Sequence, residues 1–168
     1  MNLREEILLE HSKAHCEKIV HWVGHSQKRF DQLIHLFFTD EYRVVQRAAW
    51  PVSYCVAAYP RLIQKHFSLL VHTLNQPRVP GPVKRNSVRL LQHVTIPEEH
   101  QGAIMDLCFY YISDPHEAPA VKAFSLSVLQ NLSKLYPDIL PEIKAIIKER
   151  RDTETPAFRS RAGRFDHD

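Results

Sequence analysis

His11 and His15 have a spacing suited to metal chemistry: four residues apart on a helix, two imidazoles share one face and can share an ion. His21 and His25 repeat the interval, and on a helical wheel all four fall within an arc of roughly 120°. Ile7 and Trp22 share that arc, HExxH is absent, and no further ligand stands at a telling spacing. The four histidines therefore read as a partly buried helix seam, and neither metal nor cofactor is expected. Cys16, Cys55 and Cys108 are odd in number, lack a CxxC pair and sit among apolar or aromatic neighbours, which makes them buried, reduced thiols. There is no P-loop, GxGxxG or GxSxG, and four scattered glycines cannot build a phosphate cradle. A non-enzymatic chain is the expectation.

Basic residues carry the remaining signal. The net charge of +3 and pI of about 8.8 are too mild to imply nucleic acid by themselves. The distribution is more telling: segments 43–58, 82–96 and 119–136 hold seven Lys or Arg and no Asp or Glu. An even scatter of the chain's 19 acids would put about five or six there.

The elements that position these residues are helices. Glycine is scarce, apolar residues recur at intervals of three and four, and Pro60, Pro97 and Pro137 stand where helices can open. The pattern predicts helices over 2–23, 26–38, 42–58, 60–75, 82–95, 97–113, 118–135 and 137–150, with Gly24 ending one and Ser26 starting the next.

Three of these helices share a register. VQRAAWPVSYCV from Val45, VKRNSVRLLQHV from Val83 and VKAFSLSVLQNL from Val121 begin 38 residues apart. Four residues on from each valine stand Ala49, Ser87 and Ser125; seven on, Val52, Leu90 and Val128; eleven on, Val56, Val94 and Leu132. These small and aliphatic positions make one buried face, and each unit continues into a second apolar helix, so the period is a stacked helical pair. Pro51 falls six residues on, level with Arg89 and Ser127, which reads as an exposed position where proline bends the helix without ending it. Trp50, level with Val88 and Leu126, reads as core.

The V-[QK]-[RA] openings, the small residue four on, the period near 40 and the turn residues Asp40, Asn75 and Asp114 resemble HEAT-type repeats over about residues 26 to 150, and short bacterial proteins of that type in particular. The resemblance implies an all-α fold, an alpha-alpha superhelix or HEAT-like solenoid of about four helical pairs. It is read as a single domain over 1–150 with an N-terminal capping helix over 1–25, followed by a basic tail or short docked helix over 151–168. In such arrays the valine-led helix lines the concave surface. That would bring Arg43, Arg47 and Tyr54, Lys84, Arg85, Arg89 and Gln92, and Lys122, Gln130 and Lys134 together as a basic, partner-binding strip. A Lys or Arg near the start of this helix also pairs structurally with the turn Asp, which would account for Arg47, Lys84 and Lys122 without a ligand.

The reading is a non-catalytic interaction module for an acidic protein or peptide, with a nucleic-acid backbone as the alternative ligand. There is a remote similarity to HEAT-like alkylbase DNA glycosylases, but the groove carboxylate those enzymes need has no counterpart here. With charges at the N-terminus and no run of about 18 apolar residues, no membrane association and a cytoplasmic location are expected.

Overall fold

A computed structural model describes residues 1–167, and it splits the first expected helix in two: α1 (Leu3–Leu9) and α2 (Lys13–Val23). Ser12 is the cause. Its hydroxyl accepts from the His15 amide at 3.1 Å, and a side chain that caps a new helix competes with continuing the old one. The two pieces stay joined, because His15 donates from Nε2 to the Glu6 carbonyl at 2.7 Å and Lys18 pairs with Glu6. The histidine arc is thereby corrected: His11 lies in the break, while His25 follows Gly24, which ends α2 at φ +52°.

Two compact units follow one another, Met1–Thr95 and the remainder from Ile96. In the first, Ser26 caps α3 (Gln27–Thr39), and α4 (Tyr42–Ala58) runs uninterrupted through Pro51 as the register required. Pro51 is nevertheless buried, contrary to the sequence reading. α4 packs against α1, α2 and α3 and against α6 (Gly81–Leu91), so the side the repeat pattern leaves outward is covered as well. One turn before the proline, Arg47 reaches α1 and donates to the Leu8 carbonyl at 2.8 Å.

The stretch after Pro60 winds as a 3-10 helix to His66 before α5 (Phe67–Leu74) begins. Asp31 on α3 gathers this turn: its carboxylate accepts from Lys65 Nζ and His66 Nε2, each at 2.7 Å. Against burial, which favours the neutral acid, hydrogen bonds from Lys65, Gln27 and His66 pull the Asp31 pKa down to about 2.

In the second unit, α7 (Glu98–Ser113) packs against α8 (Pro119–Ser133), and α9 (Leu140–Arg150) starts late for a simple reason. Pro141 has no N–H to give the Pro137 carbonyl, so residues 137–139 form only a 3-10 turn. The tail folds: Thr155 caps α10 (Pro156–Ala162), which packs on α8 and buries Phe158 and then Phe165. Burying one phenylalanine is worth about 1.5–3 kcal/mol, enough to hold a two-turn helix that could not persist alone.

Across α4, α6 and α8 the shared register is sound. Ala49, Ser87, Ser125, Val52, Leu90, Val128, Val56 and Leu132 are all buried, and only Val94, beyond the end of α6, is half-exposed. The outward positions depart from expectation at Lys122. It is 3% exposed, with its ammonium 2.7 Å from a Glu154 carboxylate that also accepts from Arg150 at 2.7 and 3.1 Å. The docking of α10, legible only from Thr155 and the two phenylalanines, removes Lys122 from the surface.

The three cysteines are free and buried as expected, and loss of solvent lifts their pKa values to about 11 for Cys16 and about 12 for Cys55 and Cys108.

Burial opposes ionisation of Glu154, but hydrogen bonds from Lys122 and Arg150 prevail and hold its carboxyl below the usual range. Its stabilising effect is complete above the unfolded value of about 4.3 and fades as pH falls through the lower folded value. Thermal unfolding measured from about pH 7 to pH 3 should show that acid limb flattened in Glu154→Gln. At neutral pH the same change should cost about 3–5 kcal/mol, because Lys122 is left charged, buried and unpaired. An unchanged acid limb would mean that Glu154 is not the ionised centre of this contact.

Candidate functional site

On α6, Arg85 is exposed and Arg89 half-exposed, one turn apart on the same helix. α4 faces them with Trp50 and Tyr54. The Arg89 guanidinium lies 5.7 Å from the Tyr54 ring centroid, and Trp50 stands 6.1 Å from Tyr54 and 5.8 Å from His11. A cleft of about 270 Å³ opens there, lined by His11, Gln46, Trp50, Arg85, Asn86 and Arg89. Asn86 is buried and anchored by its amide to the Pro82 carbonyl at 2.9 Å.

No carboxylate lines this cleft, and among the described residues no acid pairs with Arg85 or Arg89. Several other cations are committed to acids. Arg4 holds Asp40 at 2.8 and 3.1 Å, Lys65 holds Asp31, Lys122 and Arg150 hold Glu154, and Arg151 holds Asp166 at 2.6 Å. Two guanidinium groups beside aromatic faces and without an internal acid can bind a carboxylate or a phosphate, and the stacking on Tyr54 restrains one of them in advance.

The expected strip is thus gathered in part. Arg85, Arg89 and Tyr54 come together; Lys84 on α6 and Gln92 at its C-cap are half-exposed, and Arg43 is exposed in the first turn of α4. Arg47 is engaged with Leu8 in place of the turn Asp40, which Arg4 takes. In the second unit Gln130 is half-exposed on α8 and Lys134 exposed at its C-cap, while Lys122 is internal.

Trp50 is corrected too: it is half-exposed in the cleft, not core. The signal was available, since an indole cannot fit a position that Val88 and Leu126 fill completely in the other repeats. His11 was missed because the helix break at Ser12 turns it toward Trp50.

A larger cleft of about 560 Å³ between α1 and α3 includes Arg4, Asp31 and His35, but Arg4 is held by Asp40 and Asp31 by Lys65 and His66. Another of about 480 Å³ brings His21 and His25 near Tyr54 and Tyr59. Among the described residues no three His, Cys, Asp or Glu side chains group closely enough to hold a metal, and no helix is long and apolar enough to cross a membrane.

The model of the HEAT repeat domain family matches residues 3–163. No curated protein and no solved structure matches the chain.

Iodide, itself an anion, can report the potential around Trp50. With Trp22→Phe leaving Trp50 as the remaining indole, iodide quenching relative to neutral acrylamide should be at least about twofold stronger than in the same protein carrying Arg85→Glu and Arg89→Glu, at low ionic strength. Equal ratios would show that the two arginines set no field over the cleft.

Proposed function

The chain belongs to the HEAT repeat family, typically a non-enzymatic scaffold for binding other proteins, and on that premise we propose that it binds an acidic protein or peptide at the basic face of α6. Arg85 and Arg89 are the anchors, with Arg43, Lys84 and Gln92 at the margin and Tyr54 as the aromatic wall. The observation that carries the reading is the cleft between α4 and α6, with two arginines and no carboxylate. An arginine pair without an internal acid attracts anions over a Debye length and gains bidentate hydrogen bonds on contact. Three buried, free thiols suit a reducing compartment, and the proposal places the protein in the cytoplasm.

Nucleic acid remains the second reading, and one observation favours it: Trp50 is open to the cleft, so a base could stack there while phosphates meet the arginines. Catalysis on the base is outside both readings, for want of a carboxylate in the lining.

Fluorescence anisotropy decides between them. A labelled oligoglutamate peptide should bind the wild-type protein, and Arg85→Glu with Arg89→Glu should weaken it by about tenfold or more while unfolding stays within about 0.5 kcal/mol per exposed change. Arg47 is kept out of the variant, because it anchors α1. Binding that the double variant retains would overturn the proposal. Capture of a random-sequence DNA duplex instead, with a salt slope reduced by about one for each arginine removed, would establish the second reading.

A further inference from the structure

The shared register allows α6 to be compared with α8, whose outward side already holds an occupant. That occupant is the chain's own segment through α10. Glu154 reaches Lys122, one residue after the leading valine; Phe158, one turn on, is fully buried; and Arg161, a further turn on, donates to Ser127 at 2.9 Å and lies 5.4 Å from the Phe124 ring. Ser127 stands six residues after the valine and Phe124 three after. A segment with an acid at i, two residues ahead of a short helix, and an aromatic and a cation within that helix at i+4 and i+7 thus fits the outward side of a valine-led helix in this protein.

The same positions on α6 carry Lys84, Asn86 and Arg89, and Arg85 replaces Ala123. The position that accepts from Arg161 on α8 is a guanidinium on α6, and another is added beside it. A ligand of the same shape on α6 must therefore reverse its charge at i+7 and present a carboxylate there. Trp50 and Tyr54, half-exposed and exposed beside Arg85 and Arg89, supply an apolar wall for the aromatic at i+4. A second copy of this chain's own segment does not qualify, because Arg159, Arg161 and Arg164 would meet Arg85 and Arg89.

We infer that the α4–α6 cleft takes an amphipathic helical segment of a foreign protein, with an aromatic at i+4 that lies on Trp50 and a carboxylate at i+7 that meets Arg85 and Arg89. The inference rests on the acidic-partner reading above and adds to it a shape and a spacing. Recognition of this kind is helix-in-groove, with affinity from the aromatic anchor and orientation from the carboxylate on the arginine pair.

The probe is a stapled peptide of residues 153–165 carrying Arg159→Glu, Arg161→Glu and Arg164→Glu, the staple offsetting the marginal helicity of so short a segment. Titrated against the full-length protein, it should bind about tenfold more tightly than the unaltered stapled peptide. It should lose about tenfold with Phe158→Ala in the peptide and about tenfold again with Arg85→Glu and Arg89→Glu in the protein. If a scrambled peptide of the same composition binds equally well, the spacing is overturned even though oligoglutamate still binds. Binding unaffected by the protein variant would place the peptide elsewhere, in exchange for α10, and overturn the inference. Loss of oligoglutamate binding as well would remove the underlying function. Capture of duplex DNA by a protein that ignores every peptide would put nucleic acid in the cleft.

Discussion

A helix pair in a repeat array cannot bury both of its faces by itself, and each valine-led helix must find cover for the side its own partner leaves open. α4 finds it in α1 and α2, and α8 finds it in α10. The consequences reach individual atoms: Pro51 becomes buried, Arg47 becomes a ligand of the Leu8 carbonyl, and Lys122 becomes one side of an internal ion pair. α6 differs, for its outward side carries arginines whose charge the described residues do not neutralise with an acid.

Burial separates two populations of cation that composition cannot tell apart. Lys122 and Arg150 sit where desolvation must be offset by a carboxylate, and Glu154 supplies it with three hydrogen bonds. Arg85 and Arg89 remain in contact with solvent and need no such partner to be tolerated, so their field extends outward. Tyr54 narrows the freedom of Arg89 by stacking, which lowers the entropy lost when a ligand arrives.

Most of the fold was legible because helices declare themselves through period and punctuation. The 38-residue register gave the buried positions of α4, α6 and α8, Gly24 and Ser26 marked a boundary, and Thr155 with Phe158 and Phe165 announced a docked helix. What stayed hidden depended on contacts between segments remote in sequence. The side chain of Lys122 looks outward on a wheel until α10 covers it, 32 residues separate it from Glu154, and nothing local signals the pair. The break before α2 was a weaker signal overlooked: Ser12 is a good cap, but the apolar period continues past it. Of the candidate site, the arginines were readable from the missing acids, while Trp50 and His11 required the helix break and a size argument.

Arginine side-chain resonances provide the most direct test of the claim that α6 carries the working surface. In a spectrum of the labelled Nε–H groups, an acidic helical peptide titrated into the protein should shift Arg85 and Arg89 first and most. Arg150 and Arg161, held by Glu154 and Ser127, should stay in place through saturation. Shifts concentrated on Arg150 and Arg161 with Arg85 and Arg89 unmoved would show that the partner displaces α10 from α8, and would contradict the account.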